Sequence, residues 1–179
     1  MRLLALLPAV LLVGCRSGGD TLMPLGTGKV WQYQVTSGLT TAVQTVKVTG
    51  PTSVGPFAGW SVRGDGAESR LAWDGGRLFA GCLAGTSYRP PLPLVDADAK
   101  TWKGEADSGF GAKPMTATIT NKKAKETVGS RPMDVTLVDV KFSNGDEALT
   151  WFAPGIGIVR QEQRREDRLV AKLVYLSGP

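Results

Sequence analysis

Apolar and polar residues alternate along much of the chain, beginning near residue 30. In residues 30–36 the side chains of Trp31, Tyr33 and Val35 fall on one face, with glutamines between them. The same period of two recurs at four later places: Val46–Val48, Trp60–Val62, Leu71–Trp73 and Met115–Ile119. Alternation of this kind is typical of strands that are buried on one face.

Turn-forming residues separate these segments. Asp-Gly and Asn-Gly pairs supply the positive φ angles of tight hairpin turns, and we expect Asp74-Gly75-Gly76 to join Ser69–Trp73 to Arg77–Leu83. The charged run Arg160–Arg168 alternates in sign, as an exposed hairpin would. No segment after residue 28 has a sustained helical stripe, although Glu162–Leu173 is faintly helical. The pattern predicts an all-β fold.

Two stretches interrupt the regular alternation. The apolar residues of Met133–Phe142 change face midway, and a β-bulge near Leu137-Val138 would turn both sets inward. In Arg89–Leu94, three of six residues are prolines, which have no N–H donor. We therefore predict that this segment is an extended loop that crosses an edge or a mouth, and not a central strand.

The first residues have the pattern of an export signal. Arg2 precedes the apolar run Leu3–Val13, and about 11 residues are too few for a hydrocarbon core that requires about 20. The residues Leu12-Val13-Gly14-Cys15 resemble the lipobox of bacterial lipoproteins. The resemblance implies cleavage between Gly14 and Cys15 and a diacylglycerol on the Cys15 thiol. The alternative is an ordinary signal peptide that happens to contain a cysteine.

The lipobox resemblance divides the chain into three parts. These are a signal peptide of residues 1–14, a lipidated cysteine and tether of residues 15–28, and a single β domain of residues 29–179. The lipid would hold the domain at a membrane surface outside the cytoplasm. Arg16 stands where Asp usually retains lipoproteins at the inner membrane. In an organism with two membranes, the periplasmic face of the outer membrane is therefore favoured.

Composition narrows the chemistry that the domain could perform. The chain has no histidine, which removes Ser-His-Asp and Cys-His pairs and histidine-based zinc sites. Cys82 lies in an apolar run and is predicted to be buried and inert, and with Cys15 lipidated no intrachain disulfide can form. Without Arg2 the net charge falls from +5 to about +4. No basic patch with interleaved aromatics indicates nucleic acid, and we expect neither a metal nor another cofactor.

Two motifs together resemble a broad group of bacterial envelope lipoproteins. Gly28-Lys29-Val30-Trp31-Gln32-Tyr33 resembles their first strand, G-x-x-W-x-Y, and residues 151–159, WFAPGIGIV, resemble W-[YF]-A-x-G-x-G-x-V near the end. The resemblance implies a curved antiparallel sheet, in the form of an open half-barrel such as lipoprotein carriers use for acyl chains. It implies no catalytic residue. In the second motif, Gly157 would also permit a close approach of the backbone.

Three functional hypotheses follow from these observations. In the first, the domain binds or carries an apolar or amphiphilic envelope molecule, and four tryptophans could line a concave face: Trp31, Trp60, Trp73 and Trp102. The alternative for each tryptophan is that it fills the core. In the second, the domain is a structural or assembly component that recruits an envelope protein, through a sheet edge or through the proline-rich segment.

The third hypothesis is an enzyme that uses paired carboxylates. The candidate acids are Asp96, Asp98, Glu105, Asp107, Asp146 and Glu147. Nothing in their spacing selects two that would face each other across a cleft. We therefore expect solvated loop acids and a non-catalytic protein.

Overall fold

The computed structural model describes residues 22–96 and 100–179, and this part of the chain forms twelve β-strands. Cys15 and the cleavage position at Gly14 lie outside the described residues, as does Asp98. The strands are β1 Val30–Ser37, β2 Thr40–Val54, β3 Phe57–Gly64, β4 Ala67–Asp74, β5 Arg77–Leu83, β6 Thr86–Val95, β7 Thr101–Asp107, β8 Lys113–Val128, β9 Arg131–Phe142, β10 Asp146–Ala153, β11 Gly157–Arg165 and β12 Arg168–Ser177.

The strands form one closed antiparallel barrel. Each strand pairs with the next strand of the chain, and β1 also pairs with β12. The predicted all-β antiparallel fold is confirmed. The predicted open half-barrel is wrong, because the ladder from Gln32↔Ser177 to Ser37↔Ala171 joins the first strand to the last. That pairing links residues far apart in the chain, and no local pattern could indicate it.

Two hairpins illustrate how local sequence sets the turns. Asp74-Gly75-Gly76 joins β4 to β5 as predicted, and the two glycines have φ angles of +56° and +82°. The charged run near residue 165 is the predicted hairpin, between β11 and β12. Its turn residues Glu166 and Asp167 have positive φ angles. The faintly helical stretch 162–173 is therefore strand and turn.

Strand β9 buries side chains on both of its faces. It pairs with β8 and with β10 without a register shift, so the bulge predicted near Leu137-Val138 is wrong. Val138 and Val140 join the main cluster inside the barrel. Val135, on the opposite face, packs in a second cluster with Ala153 and Val159. The change of face therefore reflects two separate apolar clusters.

The barrel has two ends that differ in how they are filled. The segment that precedes β1 covers one end, which we call the plugged end: Met23 is buried there, and Leu22 and Leu25 pack against the interior cluster. The opposite end carries the β1–β2, β3–β4, β5–β6, β7–β8, β9–β10 and β11–β12 connections. We call it the mouth end. The tether therefore joins the barrel at the plugged end.

The proline-rich segment is part of a strand, contrary to the prediction of a loop. It lies in β6, where Leu92 and Pro93 pair with β5. The β6–β7 ladder, however, has only three residue pairs, from Ser87↔Asp107 to Arg89↔Glu105. Because this ladder ends before Pro90, it requires no N–H from the prolines. We call the unpaired stretch between residues 90–95 of β6 and residues 101–104 of β7 the seam.

The seam leaves no room for an added methyl group at Gly104. A Cβ there would lie 2.3 Å from the carbonyl oxygen of Arg89 and 2.6 Å from the indole of Trp102. We expect Gly104→Ala to lower the free energy of unfolding by about 1–3 kcal/mol through overpacking. Gly50→Ala is the matched control, since nothing lies within 4 Å of its added Cβ. Urea denaturation of both variants checks this, and an equal stability for the two would contradict it.

Candidate functional site

A pocket of about 520 Å³ opens at the mouth end of the barrel. We call it the mouth pocket. Its walls come from three connections, β5–β6, β7–β8 and β9–β10, and from strand residues beside them, including residues of β11 and β12. The lining residues are Leu83, Ala84, Thr86, Tyr88, Ala106, Ser108, Phe110, Gly111, Lys113, Met115, Phe142, Asn144, Asp146, Glu147, Ala148, Gln163, Arg164, Arg165 and Val170.

The deep part of the mouth pocket is apolar. Tyr88 and Phe142 stack with ring centroids 6.1 Å apart, and burial raises the pKa of Tyr88 to about 12, so the phenol stays neutral. Below the mouth pocket lies a cavity of only about 20 Å³, with which it shares Leu83, Phe142 and Ala148. Side chains therefore fill the lower barrel, and free space is concentrated toward the mouth.

The rim of the mouth pocket is charged, and its carboxylates are paired. The Arg165 guanidinium donates to Asp146 at 2.7 Å, and this contact holds the pKa of that carboxyl below its usual value. The Lys141 ammonium lies 3.0 Å from a carboxylate oxygen of Glu147. An apolar floor under a polar rim suits a ligand that has both kinds of surface.

Two apolar side chains at the mouth are exposed to solvent. Phe110 is 89% exposed, in a loop where the Asp107 carboxylate accepts hydrogen bonds from the N–H groups of Gly109 and Gly111 at 2.8 and 3.1 Å. Val170, on the facing side of the lining, is 45% exposed. Burial of such side chains against a ligand would be favourable, at about 25 cal/mol per Å² of apolar surface.

Two of the four candidate tryptophans hold the plugged end together. Trp31 is completely buried, and its indole N–H donates to the carbonyl oxygen of Ile156 at 2.6 Å. The indole N–H of Trp73 donates to the carbonyl oxygen of Met23 at 3.0 Å. The predicted close approach at Gly157 is present, since an added Cβ there would lie 3.4 Å from the Trp31 nitrogen. Trp73 therefore holds the N-terminal segment directly, and Trp31 holds the β10–β11 turn beside it.

The other two candidate tryptophans also belong to the packed interior. Trp102 is 5% exposed, its indole N–H donates to the carbonyl oxygen of Pro90 at 3.1 Å, and its ring meets Tyr88 edge-on. Trp60 packs against the main cluster. None of the four tryptophans lines the mouth pocket. The residues that do line it carry no pattern that would single them out in the sequence.

Cys82 and Asp96, the other candidate residues taken up here, have structural roles. Cys82 is buried, as predicted, and its thiol lies 3.3 Å from the carbonyl oxygen of Glu68. Asp96 is buried, with Arg77 at 3.9 Å. Within residues 22–96 and 100–179, no three acids or cysteines are grouped as a metal site would require. The same residues contain no apolar helix of the length that a membrane crossing needs.

Comparisons with known proteins bear on the fold. No protein-family model matches the chain, and no curated protein matches its sequence. The chain is similar to a protein of Parabacteroides distasonis that is classed provisionally as a lipoprotein. The TM-score is 0.56 and the identity 11%, over 89% of this chain and 98% of that one. At this identity the likeness shows a shared fold.

Two further likenesses are weaker. An exported protein of Bacteroides fragilis, also provisionally classed and with a YmcC-like fold, gives a TM-score of 0.49 at 11% identity, over 86% of this chain and 96% of that one. The MucA/MucB complex of Pseudomonas aeruginosa gives 0.40 at 10% identity. That likeness covers 91% of this chain and 54% of the other.

Proposed function

We propose that the protein is a lipid-anchored envelope lipoprotein that binds or carries an apolar or amphiphilic molecule in the mouth pocket. One observation carries the proposal: an open pocket of about 520 Å³ with an apolar floor and a charged rim. Pockets that hold small molecules usually have about 300–1,000 Å³ and are mostly apolar. An acyl chain or a ring system would fill the floor, and a polar headgroup would remain at the rim.

The position of the tether supports a role at a membrane surface. The chain that leads from Cys15 meets the barrel at the plugged end, where Trp73 holds the segment around Met23. A lipid on Cys15 would therefore anchor the plugged end and leave the mouth open to the surrounding compartment. The protein of similar fold from Parabacteroides distasonis is itself classed provisionally as a lipoprotein. In a two-membrane organism we favour the periplasmic face of the outer membrane.

The proposed role is non-catalytic. The rim carboxylates of Asp146 and Glu147 are engaged in ion pairs with Arg165 and Lys141. Carboxylates held in this way are poor candidates for the general acid of a hydrolase, which needs a raised pKa. The pKa of Asp146 is instead lowered.

A protein partner is the alternative function, and exposed apolar residues favour it. Leu39, in the β1–β2 turn, is fully exposed, and Val43 and Leu169 are 60% and 54% exposed. Apolar side chains concentrated on one part of a surface are typical of interaction sites. A partner would dock on these side chains at the mouth end. Strand addition could use only the seam, because the barrel has no other free edge within residues 22–96 and 100–179.

Blocking the mouth pocket tests the proposal. Ala148 lines the pocket and is half-buried, so Ala148→Trp would fill the floor. We expect the dissociation constant of a fluorescent fatty acid to rise about tenfold or more, which corresponds to about 1.4 kcal/mol or more. Fluorescence titration of residues 16–179, which contain every strand and both hydrophobic clusters, measures it.

Ala58→Trp is the matched control for this variant. Ala58 is exposed at the start of β3, at the plugged end, so a tryptophan there adds the same bulk far from the mouth. The control should bind the fatty acid as the unchanged protein does. Equal affinities for Ala148→Trp and Ala58→Trp would show that the ligand does not enter the mouth pocket.

A further inference from the structure

A second pocket lies on the outer surface of the barrel, where β6 bows away from β5. Between the pairs Cys82↔Ser87 and Ala80↔Leu92, β6 has four residues and β5 has only Gly81. The bowed stretch and the β2–β3 turn enclose about 340 Å³. We call this pocket the outer groove. It is lined by Ser53, Gly55, Arg70, Gly81, Ser87, Tyr88, Arg89, Pro90 and Pro91.

The outer groove contains two arginines and no acidic residue. Neither Arg70 nor Arg89 forms an ion pair with a carboxylate among the described residues. Elsewhere on the barrel the half-buried arginines are paired, as Arg160 is with Glu126 at 3.2 Å. The lining of the outer groove therefore carries positive charge in a concave surface, which attracts an anion. Glu105 lies opposite Arg89 on the neighbouring strand and offsets part of this charge.

Arg70 is the stronger of the two anchors. One terminal nitrogen of its guanidinium donates to the Ser87 hydroxyl at 3.3 Å. Its Nε is buried and has no hydrogen-bond partner. A buried charged donor without an acceptor is destabilising. An anion bound in the outer groove would compensate the charge of this guanidinium from the side that lines the groove.

We infer that the outer groove binds a phosphate group. Guanidinium groups present planar, forked donors that match phosphate oxygens, and phosphate can accept from two arginines and two hydroxyls at once. Ser53 and Ser87 also line the groove and can supply the hydroxyls, and the Ser87 hydroxyl already accepts from Arg70. The phosphate could belong to a lipid headgroup or to a soluble phosphate compound. This inference is independent of the mouth pocket and of its proposed ligand.

Calorimetric titration of residues 16–179 tests the inference in a phosphate-free zwitterionic buffer at low ionic strength. The probes are inorganic phosphate, glycerol 3-phosphate, and vesicles of phosphatidylcholine with and without phosphatidic acid. Binding of the soluble probes indicates a soluble source. Binding only to vesicles that contain phosphatidic acid indicates a headgroup. Absence of binding to every probe would overturn the inference.

Two variants and one control locate the binding. Arg70→Gln and Arg89→Gln should each raise the dissociation constant about tenfold or more, because each removes a charge-assisted contact. Arg89 is exposed, so its replacement leaves the fold intact even if that of Arg70 does not. Arg131→Gln makes the same charge change at the exposed first residue of β9, outside the groove. Equal weakening in all three variants would mean nonspecific attraction and would overturn the site.

Discussion

Replacement of Trp31 by alanine is expected to lower the free energy of unfolding by about 3–5 kcal/mol, the usual cost of removing a large buried aromatic side chain. The side chain is completely buried at the plugged end, where Met23 and Gly157 pack around it. The loss combines a cavity with an unsatisfied carbonyl oxygen at Ile156, which accepts from the indole N–H. Urea denaturation, followed by circular dichroism, measures the difference.

Trp31→Phe separates packing from hydrogen bonding in this result. Phenylalanine keeps most of the apolar ring but has no donor for the Ile156 oxygen, so we expect a smaller loss, of about 1–3 kcal/mol. Trp151→Ala is the second comparison, since Trp151 is only half-buried and lies outside the main cluster beneath Arg160. A loss for Trp31→Ala no larger than that for Trp151→Ala would contradict the described plug.

Replacement of Cys15 by alanine is expected to abolish both lipidation and cleavage. The thiol is the only side chain of Leu12-Val13-Gly14-Cys15 that can accept the diacylglycerol. In cells supplied with a labelled fatty acid, the unchanged protein should take up label and begin at Cys15. The variant should carry no label and keep residues 1–14. Mass spectrometry of the purified chains reads both properties at once.

Cys82→Ala is the control for the lipidation result. Cys82 is the other cysteine of the chain and is buried in the barrel, so its loss should leave lipidation and cleavage unchanged. An ordinary signal peptide gives a different outcome. In that case the unchanged protein carries no label, and Cys15→Ala is still cleaved. This pair of results would contradict the lipoprotein assignment.

Strands could be predicted from the sequence because alternation and turn residues are local features of the chain. Alternation at Trp31, Tyr33 and Val35 marks β1, and the turn at residues 74–76 fixes one hairpin. At β9 the change of alternation led to the wrong prediction of a bulge. Both faces of β9 are buried because a second cluster lies outside the main interior. A pattern of apolar residues indicates that a strand face is buried, but it does not indicate which part of the protein buries it.

Closure of the barrel and the location of the pocket depend on contacts that no local pattern encodes. The β1–β12 ladder pairs residues more than 130 positions apart, as in Ser37↔Ala171. The mouth pocket is assembled from separate loops, and its lining residues, such as Ala148 and Phe110, are ordinary in sequence. The tryptophans were predicted to line a concave face because ligand pockets are largely apolar, yet large rings such as Trp31 also fill the interior of a narrow barrel.

The proposed carrier function requires that the mouth pocket holds an apolar or amphiphilic molecule. The most direct measurement is native mass spectrometry of residues 16–179 purified from a bacterial periplasm, compared with the denatured spectrum. We expect a stoichiometric extra mass that is lost on denaturation, is extractable into organic solvent, and is absent from Ala148→Trp. A clean mass that stays clean after incubation with total envelope lipids would contradict the claim and favour a protein partner.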